Sequence, residues 1–66
     1  MNVYVNGNPT EVEDSIGVAA LIEQLGLAGQ RIAVEVNADL VPRSRFERHA
    51  LGPEDRVEII HAVGGG

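Results

Sequence analysis

Cysteine, lysine and tryptophan are absent from this chain, and Tyr4 and Phe46 are its only aromatic residues. Without a thiol there can be no disulfide, no thiolate metal site and no persulfide on a side chain. Without lysine, all five side-chain cations are arginines: Arg31, Arg43, Arg45, Arg48 and Arg56. Positive charge is itself scarce, since ten Asp and Glu residues face those five arginines and leave a net charge of -5. Such a balance repels phosphate backbones and anionic bilayers, so neither nucleic acid nor membrane is expected as a partner. No apolar run approaches the ~20 residues of a membrane-spanning helix. The start MNVYVNGNPT has neither the basic nor the continuous apolar stretch of a signal peptide, and a cytoplasmic location is expected.

Size excludes more. A chain of 66 residues forms one domain, and one so short buries only about 60% of the surface its unfolded form exposes. Few side chains remain to wall an enclosed pocket of ~300 Å³, which disfavours an enzyme. The acidic residues show no pairing at a recognisable catalytic spacing, so no general acid or base is assigned and no catalytic residue is intrinsic to the chain. His49 and His61 stand apart, without the grouped ligands that a metal site needs. They are read as structural or surface residues.

What is present is alternation. Met1, Val3 and Val5 interleave with Asn2, Tyr4 and Asn6, the period of a half-buried strand. Asn6-Gly7 is a tight-hairpin dipeptide, and a second strand is expected over Thr10 to Glu13, at an edge because Pro9 cannot donate to a ladder. The period then lengthens. Val18, Leu21, Ile22 and Leu25 form one helical stripe, with Asp14 or Ser15 as the expected cap and Gly26 as the stop. Ile32, Val34 and Val36 alternate as a third strand; Asn37-Ala38-Asp39 predicts a turn, and Leu40-Val41 a short strand ended by Pro42. Residues 44–51 read as irregular or single-turn helical, and Gly52-Pro53-Glu54-Asp55 as a turn. The last strand runs from Arg56 to Val63, with apolar residues on both parities that place it inside the sheet. The order predicts an α+β fold: a mixed sheet of four to five strands with one main helix packed on one face.

The chain closes on Gly64-Gly65-Gly66. At an average glycine usage of about 7%, three terminal glycines arise by chance in roughly one chain in three thousand, which makes the ending a candidate site. A frayed terminus or a linker left by cloning is the plain alternative. The expected division is a domain over residues 1–63 and a flexible tail over residues 64–66. A rigid base with a thin tip suits presentation of a terminus to another protein. If Val3, Val5, Val57 and Ile59 face the helix, alternation turns Tyr4 and Ile60 to the uncovered face as a candidate docking patch. Arg43, with Arg45 and Arg48, forms a basic cluster in an acidic chain, either a solvated loop or a contact for an acidic partner.

A ββαββ-type order whose interior last strand runs into Gly-Gly resembles the ubiquitin-like β-grasp fold. Within it, the length, the segment Val36-Asn37-Ala38-Asp39-Leu40-Val41-Pro42-Arg43 and the ending Val63-Gly64-Gly65-Gly66 are similar to the ThiS family of sulfur carriers in thiamine biosynthesis, with Gly64 as an additional glycine before the expected pair. The resemblance implies a carrier, not a catalyst, with no cofactor of its own. An E1-like adenylating enzyme would use ATP and magnesium to convert the Gly66 carboxylate to an acyl-adenylate. Sulfur from the persulfide of a cysteine desulfurase, or another persulfide donor, would then give a thiocarboxylate that supplies thiazole synthase. Gly64, Gly65 and Gly66 together would enter the partner's active site. A chain without an ε-amine could not capture its own activated end. A carrier for molybdopterin or another sulfurated product, a ubiquitin-like modifier and a plain β-grasp interaction module remain the alternatives.

Overall fold

The computed structural model describes residues 1–62. Five strands and one α-helix follow in the order β1 (Asn2–Val5), β2 (Asn8–Glu11), α1 (Val18–Gln24), β3 (Ile32–Val36), β4 (Asp39–Val41) and β5 (Arg56–His61). Across the sheet the strands stand β2-β1-β5-β3-β4. β1 and β5 are parallel and every other neighbouring pair is antiparallel, so the sheet is mixed, as expected.

Two-residue turns set both hairpins. Asn6 and Gly7 have φ of 49° and 84°, the paired left-handed angles of a turn whose twist matches its strands. This turn puts Val5 opposite Asn8, so β2 begins at Asn8 and not at the expected Thr10. Pro9 is inside the strand, opposite Tyr4, and its missing N–H lies on the open edge where no ladder bond is lost. The β3–β4 turn is Asn37-Ala38, with φ of 51° and 72°, and Asp39 belongs to β4. Ala38 has a Cβ where glycine is preferred. Ala38→Gly should therefore stabilise the fold by about 0.5–1 kcal/mol, the left-handed penalty less the added freedom of the unfolded chain, measured as a higher urea midpoint.

The helix starts later than its sequence cues suggest. Its N-cap is Gly17, with no side-chain cap, in place of the expected Asp14 or Ser15. Its first N–H groups go instead to a distant segment: Val18 N donates to the His49 carbonyl at 3.0 Å and Ala19 N to that of Phe46 at 2.9 Å. Asp14 takes the N-terminal ammonium at 3.2 Å. At the other end Gly26 (φ 74°) closes the helix as expected: Gly26 N bonds the Glu23 carbonyl and Leu27 N that of Ile22, the paired bonds of a left-handed C-terminal cap.

Val18, Leu21 and Ile22 are buried against Val3, Val5, Val34, Val57 and Ile59, while Leu25 at the end of the stripe is only partly covered. Phe46, in the turns following a single 3-10 turn (Arg43–Arg45), closes one side of this core with Leu51. β5 is central, as its composition suggested, but for a different reason than two-sided burial. The helix covers one face only, and Ile60 on the other is 51% exposed.

Candidate functional site

The site is built around the end of β5, because that strand leads into the glycines. Val63, Gly64, Gly65 and Gly66 lie outside the described residues, as does the expected boundary at 63/64. What can be placed is their point of departure. β5 is flanked by β1 on one side and β3 on the other, with Ile32 opposite His61 and Ala33 opposite Ile60. Ala62 N adds a bond to the Arg31 carbonyl at 2.9 Å.

Tyr4 and Ile60 both stand on the helix-free face, but the structure separates them. Tyr4 pairs with Arg56 at the start of β5, four residues from Ile60, or about 13 Å along a strand. Tyr4 is also half-covered: the Arg56 guanidinium lies 6.0 Å from its ring centroid and its hydroxyl donates to Glu54 at 3.3 Å. The apolar part of the open face is therefore Ile60, Ala33 and Leu40, the last 66% exposed. Leu40 was missing from the sequence-derived patch. Its outward direction follows from the register, since it faces Glu35 across the β3–β4 pair while its neighbour Val41 faces the buried Val34. In a three-residue strand alternation alone does not say which residue points inward.

Arg43 is brought near the root of the tail. Its Nη2 donates to the Gln30 carbonyl at 3.2 Å, and the Gln30 side chain meets His61 Nε2 at 3.0 Å. Arg43, Gln30 and His61 thus form one polar cluster beside the last residues of β5. Arg45 and Arg48 instead lie with His49 around a separate hollow. None of the five arginines pairs with a carboxylate among the described residues, where the N-terminus with Asp14 is the one ion pair. No group of three or more His, Cys, Asp or Glu residues that could hold a metal occurs among them. No helix among them is long and apolar enough to cross a membrane.

The ThiS family model matches residues 3–66, nearly the whole chain and all of its glycine ending. The chain belongs to the ThiS family. This is a family of small sulfur carriers of thiamine biosynthesis with the ubiquitin-like β-grasp fold, and not of catalysts. A crystal structure of the thiamine biosynthesis protein ThiS of Geobacter metallireducens superposes with a TM-score of 0.87 at 33% identity, each chain covered in full. The thiazole synthase of Paramagnetospirillum magneticum is 35% identical over all 66 residues, yet the chain spans only 20% of that protein. The thiazole synthase of Magnetococcus marinus repeats the pattern at 33% identity and 20% coverage. An uncharacterized protein of Porphyra purpurea, ycf40, is 33% identical and 93% covered. ThiS-like sequence therefore occurs both as a small separate protein and as about one fifth of larger thiazole synthases.

Proposed function

We propose that this chain is a sulfur carrier whose reacting group is the Gly66 carboxylate. The observation that carries this reading is the family match running through Gly66, with β5 as the framed strand that leads to it. A free α-carboxyl is ionised at neutral pH, so it can attack the α-phosphorus of ATP, held with magnesium by an E1-like adenylating enzyme, and expel pyrophosphate. The terminal sulfur of a persulfide, from a cysteine desulfurase or another donor, then displaces AMP from the acyl carbon, and cleavage of the sulfur–sulfur bond by a second thiol leaves the thiocarboxylate. The carrier holds no thiol and so adds no competing sulfur site. Three residues without side chains, Gly64, Gly65 and Gly66, span about 10 Å and pass a channel too narrow for other sequences.

Thiazole synthase is the proposed recipient. Two proteins of that name contain a stretch similar to this chain within their own polypeptides, which supports a working contact between the two functions. The cytoplasm, where those partners would be met, is the proposed location. The exposed Ile60, near the tail root and away from the core, is the proposed docking residue of the open face, with Tyr4 at its far end and Arg43 near the root on the helix side. Ile60→Asp should raise the KM for the adenylating enzyme by about tenfold, as expected for a partly desolvated apolar contact. Its urea midpoint should stay near that of the parent.

Intact-mass measurement of the protein isolated from cells tests the function. A species heavier by one oxygen-for-sulfur exchange is expected. Its absence, or conjugates of the chain on other proteins, would reject the carrier. Growth of a thiazole-requiring deletion strain carrying this gene, without added thiazole, distinguishes thiamine supply from molybdopterin supply.

A further inference from the structure

Backbone pairing between β1 and β5 is short. Only Tyr4↔Arg56 and Val5↔Val57 are in register, and the last backbone bond on this side runs from Asn6 N to the Val57 carbonyl at 2.8 Å. There β1 turns away into its hairpin, leaving the next peptide groups of β5 on that side, those of Ile59, without a strand. The Asn6 carboxamide takes the place of one. Its Oδ1 accepts from Ile59 N at 2.8 Å and its Nδ2 donates to the Ile59 carbonyl at 3.3 Å, the two-bond exchange that an antiparallel neighbour would make.

The other hairpin repeats the device at the opposite end of β5. Asn37, the first residue of the β3–β4 turn, accepts from Arg56 N at 2.9 Å through Oδ1 and donates to the Asp55 carboxylate at 3.0 Å through Nδ2. Both asparagines sit at left-handed φ in the first position of a two-residue turn, and both brace the central strand. They differ in what they brace. Asn37 fixes the entry of β5, and Asn6 fixes Ile59, the last buried residue among those described.

With Gly66 as the reacting end proposed above, we propose that Asn6 is a positioning residue for carrier activation: its carboxamide holds the exit of β5 in the direction along which the terminus is delivered. Losing it frees the Ile59 peptide on one side, so the terminus samples more directions and more freedom is lost on docking. The deficit falls on association, hence on KM, and not on the chemistry of a terminus once it is seated.

Asn6→Gly removes the carboxamide while keeping a residue that adopts the left-handed angle, and Asn37→Gly makes the same change at the other end. In the full-length chain, amide hydrogen exchange at Ile59 is expected to quicken by about tenfold in Asn6→Gly, which removes the acceptor of that amide, and to stay unchanged in Asn37→Gly. Pyrophosphate release by the ATP-dependent adenylating enzyme, followed against carrier concentration, should show KM raised about tenfold with kcat within about twofold for Asn6→Gly, and both within about twofold for Asn37→Gly. Unchanged exchange at Ile59 in Asn6→Gly overturns the clamp. Equal KM for the two variants, or a loss confined to kcat, overturns the positioning role. If the parent chain itself releases no pyrophosphate, the carrier reading falls, and with it Asn6's role in activation, while the exchange data still judge the clamp.

Discussion

Deleting Gly65 and Gly66, or converting the Gly66 carboxylate to an amide, should abolish thiocarboxylate formation while leaving the fold intact. The amide keeps every atom of the tail except the anionic oxygen, and an uncharged carboxamide has no lone pair comparably able to attack ATP. Truncation keeps a carboxylate but draws it back by two residues, about 7 Å of extended chain, from where the partner holds the nucleotide. Misplacement of a reacting atom by even 1 Å can cost about a hundredfold, so both variants should fall below detection in the mass measurement. Among the described residues the buried core lies between Val3 and Ile59, and neither change touches it, so neither should move the urea midpoint. A truncated or amidated chain that still acquired sulfur would place the chemistry elsewhere and reject the assignment of Gly66.

The largest loss of stability is expected from Leu21→Ala. Leu21 is fully buried where the helix meets the sheet. A Leu to Ala change in a packed core costs about 2–5 kcal/mol. At ~0.05–0.15 kcal/mol per residue, a domain of this length has about 3–10 kcal/mol in all, so the variant should lose about half of its stability. Urea titration followed by far-ultraviolet circular dichroism measures it, with Ile60→Ala as the exposed comparison and an expected loss under about 1 kcal/mol. Equal losses at Leu21 and Ile60 would contradict the one-sided packing of the sheet.

The elements that were legible in the sequence share a local cause. The stripe Val18, Leu21, Ile22 is set by helical spacing, Gly26 by the left-handed end it permits, and Asn6-Gly7 by the two positive φ angles of a hairpin turn. The misjudged features each depend on a partner distant along the chain. The helix N-terminus lies at Gly17 because carbonyls of Phe46 and His49 are available there, a choice no residue near position 17 announces. β2 begins at Asn8 because the turn fixes its register against β1, and the edge location then makes Pro9 harmless.

The candidate site divides in the same way. The glycine run was conspicuous because three successive residues without side chains need no fold to be noticed, and the absence of cysteine and lysine is a matter of counting. Periodicity also put Tyr4 and Ile60 on one face, since strand residues two apart point the same way. It could not say that they lie at opposite ends of β5, that Leu40 joins Ile60 and Ala33 on the open face, or that Arg43 meets His61 through Gln30. Those facts depend on which strands are neighbours and in what register, and hydrogen bonding between segments as far apart as β1 and β5 settles that only once the chain has closed around its core. Asn6 shows the limit most clearly: as a turn residue it is explained by its own backbone, and its grip on Ile59, fifty-three positions away, exists only because β1 ends while its parallel neighbour β5 runs on.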